Sequence, residues 1–211
     1  MASYWQQFND GLAEVAAGAG QSLVQVSSGR RGAGAGIIWD AGGLIITNAH
    51  VVRRESPRVI LPDERELSAR LLGYDKFNDL AALAIEASDL PAITPGDSHS
   101  LRSGQVVIAL GHPWGIIASA TAGIVVSSGS GLPDMPGGRR ELISLSLSLR
   151  PGYSGGPLLD AAGRVIGINV MMAGPEVGLA IPVHVVQEFV TELMKEVGQP
   201  APQAQGTPSA V

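Results

Sequence analysis

The chain has no cysteine among its 211 residues. Disulfides and thiolate metal sites are therefore excluded, and the redox compartment leaves no mark on the sequence. Charge is scarce, at 16% of residues against 45% apolar, so most of the chain is expected to pack rather than stay disordered. Positive charge is scarcer still. A net charge of -5 gives no electrostatic footprint for nucleic acid, and the loose cluster Arg53, Arg54 and Arg58 is accounted for by a solvated loop. No apolar run approaches the ~20 residues of a membrane-spanning helix. The opening "MASYWQQFNDGLAEVAAGAGQ" lacks the basic start and unbroken apolar stretch of a secretory signal. As written, the sequence places the protein in the cytoplasm; a periplasmic or secreted protein fits if the chain is a trimmed piece of a longer one.

What is present is β-type punctuation. Tyr4, Trp5, Phe8, Leu12 and Val15 recur at three and four, predicting a short amphipathic helix that Gly18 and Gly20 break. From Leu23 onward, short apolar runs such as "SLVQVSS", "RVILP", "ALAIEA", "QVVIALG" and "AGIVVSS" alternate with glycine and proline. "IIWDAGGLIIT" reads as a hairpin turned by Asp40 to Gly43. "ELISLSLSL" reads as a strand with Ile143, Leu145, Leu147 and Leu149 on one face and Ser144, Ser146 and Ser148 on the other. A helix is predicted from about Pro182 to Val197, with Val186, Phe189, Val190, Leu193 and Met194 as its buried stripe. The tail after it, rich in Pro, Gln, Ala and Gly, reads as disordered. The whole is all-β, a barrel or sandwich architecture with a short helix at each end.

One serine stands out in "RPGYSGGPLLD". Gly152-Tyr153-Ser154-Gly155-Gly156 spells the G-x-S-x-G elbow of α/β-hydrolases, but that reading needs the acid and histidine to follow the serine, and His184 alone follows. In the opposite order candidates appear at once: His50 at the end of the apolar run "ITNAHVV", and Asp79 at the start of "NDLAALAIEA". A serine hydroxyl is a weak nucleophile near neutral pH; an imidazole must take its proton, and a carboxylate must hold the imidazole in the right tautomer. The oxyanion that develops needs donors aimed at it. The amides of Gly152 and Ser154 suit that task, because glycine lets the loop curl without a Cβ in the way. Taken singly, Ser154 reads as a turn, His50 as a strand-end histidine and Asp79 as a turn or cap; it is their joint occurrence in one order that points to chemistry. Asp75 is the runner-up acid, with a turn role favoured. His99 lies in a solvated loop by its neighbours, and His112 and His184 have no carboxylate or histidine at ligand spacing, so neither a metal nor a cofactor is expected. "GAGAG" at Gly32 to Gly36 lacks the lysine and helix of a phosphate loop and reads as a strand beginning in tight quarters.

Together "ITNAHVV", "GYDKFNDLAAL", "GHPWGIIASATAGIVVS", "GYSGGPLLD" and "GLAIPV" resemble the protease domain of the HtrA/Deg group of trypsin-like, chymotrypsin-fold serine proteases, from about Ser22 to Val197. The resemblance implies two antiparallel six-stranded β-barrels within 21–198, about 21–104 and 105–198, after a helical segment 1–20 and before a tail 199–211. It implies His50 as general base, Asp79 as its orienting acid, Ser154 as nucleophile, and Gly152 with Ser154 as oxyanion hole. By motif, Leu149, Met171 and Ala173 line the pocket for the residue before the scissile bond. Ser148 stands six before Ser154 where a basic side chain would need an acid, so a small or medium aliphatic residue is expected there.

The sequence departs from the group at Tyr153, where asparagine is usual, at Ser146, where "SLSLSL" stands for "QTDAAI", and at His112, where asparagine is common. These positions bear on the ordering of the loop. No PDZ domain follows the matched region, so recognition is expected from the cleft or from a partner. The reading is a serine endopeptidase acting on unfolded or exposed protein segments; the alternatives are a catalytically silent peptide-binding module and, more remotely, an esterase. Tyr4, Trp5 and Phe8 either pack the first helix on its own barrel or, as the resemblance implies, form a homotrimer contact.

Overall fold

Short apolar runs make strands too short to stand alone, and here each closes on its neighbours, leaving no open edge. The computed structural model describes residues 3–27, 33–52, 57–130, 140–172 and 176–197. The first barrel comprises β1 (Leu23–Ser27), β2 (Ala33–Ile38), β3 (Leu44–Asn48), β4 (Arg58–Ile60), β5 (Glu66–Asp75) and β6 (Leu80–Ile85), in the spatial order β1-β2-β3-β6-β5-β4. The second comprises β7 (Val106–Gly111), β8 (Ser119–Ser130), β9 (Glu141–Ser146), β10 (Pro157–Leu159), β11 (Val165–Met172) and β12 (Val177–Pro182), in the order β10-β11-β12-β9-β8-β7. All neighbouring strands are antiparallel, and β1–β4 and β10–β7 pairing closes the two rings. Helix α1 (Tyr4–Gly20) precedes the first barrel and α2 (Val183–Val197) leaves β12 directly. No described helix is long and apolar enough to cross a membrane.

The core has three parts. Val24, Val26, Ile38, Ile45, Val59 and Leu83 fill the first barrel; Val107, Val125, Ile143, Leu145, Leu158 and Ile166 fill the second. Between them lies a seam in which Ile37, Ile46 and Leu80 of one barrel meet Leu110, Leu159 and Ile168 of the other, with α2 adding Val186 and Leu193. Strands with one face in a barrel and the other in the seam are buried on both sides. That is why β3 is buried at every position and reads as a continuous apolar run rather than an alternation.

The hairpin turn follows its spelling: Asp40 Oδ1 accepts from the amides of Gly42 and Leu44 at 2.9 and 3.1 Å, and Gly43 takes φ +98°. Three expectations are corrected. Helix α1 runs through Gly18 to Gly20, because Leu12, Val15, Ala16 and Ala19 pack against the seam and outweigh the ~1 kcal/mol intrinsic cost of each glycine. Its leading aromatics do not join that packing: Tyr4 and Trp5 are 78% and 75% exposed, and Trp5 meets Tyr4 and Phe8 edge to face. On α2, Met194 is exposed while Val186 and Leu193 are buried. The ladder of β9 ends at Ser146, and Ser144 is buried rather than outward-facing. Arg53, Arg54, Ala173 and the tail 199–211 lie outside the described residues.

Candidate active site

The first barrel brings His50 and Asp79 together through strand register. Asn48 at the end of β3 pairs with Leu80 at the start of β6, so the residues just beyond that pair share one rim although 29 positions separate them in sequence. Asp79 is gripped on both its main chain and its side chain. Its carbonyl accepts from Asn48 Nδ2 and from the Ala49 amide, both at 3.0 Å. Its carboxylate accepts from the His50 amide through Oδ1 at 2.9 Å and faces His50 Nδ1 through Oδ2 at 2.6 Å. With the carboxylate ionised, Nδ1 carries the proton and Nε2 keeps its lone pair, the tautomer a base requires. Asp79 sits at φ +59°, a left-handed conformation that aspartate tolerates better than most residues. Asp75 has the turn role: its carboxylate accepts from the Phe77 and Asn78 amides and from Asn78 Nδ2. From the second barrel, Arg140 Nη1 donates to the Phe77 carbonyl at 3.2 Å and straps this loop across the seam.

The second barrel supplies a loop shaped by bare backbone. Between Leu149 and β10, the Tyr153 amide donates to the Arg150 carbonyl at 3.0 Å and the Gly156 amide to the Tyr153 carbonyl at 3.0 Å. Asn169 on β11 holds the loop from beneath: its carbonyl accepts from the Gly155 amide, its amide donates to the Gly156 carbonyl, and its Nδ2 donates to the Pro157 and Leu110 carbonyls at 3.0 and 3.3 Å. Gly152 is at φ +109°, and a Cβ there would meet the His112 carbonyl oxygen at 2.6 Å. Among the described residues, the amides of Gly152 and Ser154 donate to no oxygen.

The loop docks on the first barrel through Ser154 itself, whose carbonyl accepts from the Ala35 amide at 2.8 Å. Ala35 is fixed in turn by Thr47 Oγ1, which donates to its carbonyl at 2.6 Å. Next to it, Gly34 is where a Cβ would touch both Val51, the residue after His50, and the Ser154 carbonyl. The imidazole, the carboxylate and the serine thus come to one seam. The Ser154 hydroxyl donates to the Val170 carbonyl at 2.7 Å. Of the pocket residues, Leu149 is buried, with its side chain against Gly178 and its amide donating to Met172 Sδ at 3.0 Å. Met171 lies on β11.

Two of the sequence departures find places here. Tyr153 is buried in the interior of the second barrel, where desolvation pushes its phenol above the ordinary value and the Arg150 charge opposes the shift. His112 is buried and its amide donates to the Gly152 carbonyl at 2.9 Å; burial pushes its imidazole below the usual range. Away from the seam, His184 Nδ1 meets Ser98 Oγ at 2.7 Å and Nε2 meets Glu141 Oε2 at 2.9 Å, with His99 stacked on its ring. The carboxylate that sequence spacing did not offer thus comes from a distant strand. Ser98 is buried while Glu141 is exposed, the reverse of a hydrolytic site, so this set ties α2 to the linker between the barrels. Among the described residues no group of three or more His, Asp or Glu is placed to hold a metal. Sequence reasoning missed Asn48, Thr47 and Asn169; their signal is a polar residue inside an apolar run.

Two closed six-stranded antiparallel barrels are the fold of the trypsin-like class, and the chain belongs to it: the model of the trypsin-like peptidase domain matches residues 34–168. Within that class its relatives are of the HtrA/DegP kind. It is 40% identical over 171 residues to a probable periplasmic serine endoprotease DegP-like of Hahella chejuensis, covering 78% of this chain and 36% of that protein. It is 37% identical over 175 residues to Protease Do-like 1, chloroplastic, of Arabidopsis thaliana, covering 78% and 40%. The solved structure of the HtrA-type protease AlgWS227A with tripeptide superposes with a TM-score of 0.82 at 31% identity, over 88% of this chain and 64% of that one. The chain thus spans well under half the length of these two relatives. Their names place them in the periplasm and the chloroplast, which gives the cytoplasmic expectation no support.

Proposed function

We propose that the chain is the peptidase domain of a serine endopeptidase that hydrolyses peptide bonds in unfolded or exposed protein segments. The observation that carries this reading is the His50 Nδ1 to Asp79 Oδ2 contact of 2.6 Å, on the rim where the Ser154 main chain docks. In this reading Ser154 Oγ attacks the scissile carbonyl as His50 Nε2 takes its proton. The Gly152 and Ser154 amides stabilise the oxyanion, and the protonated His50 then gives its proton to the leaving amine. Water, activated by His50 in the same way, hydrolyses the acyl-enzyme. Leu149, Met171 and Ala173 form the pocket for the preceding residue, which is a small or medium aliphatic one. Reaction of the full chain with a fluorophosphonate probe tests the reading: labelling that disappears in Ser154→Ala supports it, and absence of Ser154-dependent labelling across pH 6 to 9 overturns it.

A silent peptide-clamping module is favoured by one observation, the Ser154 hydroxyl donating to the Val170 carbonyl in place of an attack-ready arrangement. The same probe decides between the two. For assembly, the exposed Tyr4, Trp5 and Phe8 favour the subunit contact over packing on the same barrel. A homotrimer is the proposed state, read by light scattering against the chain lacking residues 1–11.

A further inference from the structure

The loop from His112 to Ala118 turns large apolar side chains to solvent beside the serine loop. Trp114 is 72% exposed and Ile117 69%, an apolar surface of the kind that marks a contact region. The loop is not slack. The Gly115 amide donates to the His112 carbonyl at 3.2 Å, the Ile116 amide to the Pro113 carbonyl at 2.9 Å, and Ser119 Oγ to the Ile116 carbonyl at 3.2 Å. Trp114 and Ala118 sit at φ +55° and +51°, left-handed backbone that persists only where the surroundings impose it. The indole is therefore held outward by its own backbone.

Arg150 lies across that indole, its guanidinium carbon 5.0 Å from the ring centroid. A cation–π contact made through the guanidinium face leaves an N–H edge available to a carboxylate. Among the described residues no carboxylate takes that edge, and Arg150 is exposed. Its carbonyl is bonded to the Tyr153 amide, and the Gly152 carbonyl to the His112 amide, so the loop that carries Arg150 and Ser154 is tied to the loop that carries Trp114. Stacking also restricts the arginine rotamers before a ligand arrives, which lowers the ordering cost of binding.

We propose that Arg150 and Trp114 form a subsite for an acidic side chain of the polypeptide substrate, with a glutamate or aspartate carboxylate on the guanidinium edge and a neighbouring apolar side chain on Trp114 and Ile117. The proposal rests on the peptidase reading for what the bound segment undergoes, but not for its binding. A second copy of the chain is the rival occupant of the apolar surface; such a contact gives no discrimination between peptides that differ in one charge.

The test uses the full chain and pairs of eight-residue peptides identical except for Glu or Gln at one position, scanned along the peptide. Binding to Ser154→Ala is read by fluorescence anisotropy and cleavage by the active chain is read by mass spectrometry. At one position Glu is expected to exceed Gln about tenfold, as for a charge-assisted bidentate contact. The ratio falls to about one in Arg150→Ala, drops below one in Arg150→Glu, and collapses in 0.5 M salt because the pair is exposed. The proposal is overturned if no position discriminates Glu from Gln, or if the ratio survives Arg150→Ala. Binding discrimination without Ser154 labelling leaves the subsite standing and removes catalysis; labelling and cleavage without discrimination do the reverse.

Discussion

The two barrels share one strand plan and equip their seam in opposite ways. The first contributes side chains locked by other polar groups: Asp79 alone takes hydrogen bonds from Asn48, Ala49, and the main-chain amide and ring Nδ1 of His50. The second surrounds Ser154 with backbone from which side chains are missing. Gly111, Gly152, Gly155 and Gly156 each pack so closely on main chain that a Cβ would collide. The first rim therefore fails when an atom is deleted, and the second when one is added. A base must be oriented through its far nitrogen, whereas an oxyanion hole needs amides left uncovered and close approach by substrate.

The largest test of that contrast is Asp79→Asn. The amide keeps the shape but cannot hold Nδ1–H as the acid does, so the imidazole loses the tautomer that leaves Nε2 basic. kcat/KM on a peptide substrate is expected to fall about 10,000-fold with the melting temperature nearly unchanged. A loss under tenfold would mean that His50 is oriented by something else. Next comes Gly155→Ala, where the new methyl meets the Ala35 carbonyl and Thr47 Oγ1; rates of fluorophosphonate labelling should fall at least about 100-fold, as when oxyanion donors are displaced. Gly104→Ala is its control. At φ +88° it carries a similar backbone penalty but nothing lies within 4 Å of the added carbon, so it should cost about 1–2 kcal/mol in urea unfolding and leave labelling intact. Equal losses in both would erase the contrast between strain and collision.

The fold was legible because apolar runs five or six residues long, cut by glycine and proline, fit little else than strands buried on two faces. The position of His50 and Asp79 at element ends was also readable locally. Their adjacency was not, since it depends on the Asn48–Leu80 register, which pairs residues 32 positions apart and is set by the whole barrel. Asn48 and Asn169 escaped for a related reason: each bonds main chain far away in sequence, and alone each resembles a stray polar residue in a strand. For the aromatics of α1, helical spacing shows that a face is apolar and not what covers it, so the sequence leaves packing on the same barrel and a subunit contact equally open. His184 likewise gained its carboxylate from Glu141, 43 positions away.

The smallest expected effect blurs the contrast at one point, because His112 places an ionisable ring under the glycine loop of the second barrel. The Ala118 amide donates to its Nδ1 at 3.4 Å, so the neutral ring carries its proton on Nε2, which is buried. Protonating Nδ1 removes the Ala118 bond and buries a charge. Desolvation therefore lowers the folded pKa below the ordinary value near 6.5, with the Val24 main chain offsetting part of the shift. The unfolded chain then binds more protons than the folded one just below pH 6.5. The neutral ring contributes its full stability above that pH and loses it as pH falls through the folded pKa, with a slope of up to about 1.4 kcal/mol per pH unit. In His112→Asn this pH dependence should vanish: between pH 7.5 and 5.5 the wild-type melting temperature should drop by a few degrees more than the variant's. Parallel drops would show that the ring titrates alike in both states, and that no side chain beneath the glycine loop responds to acid.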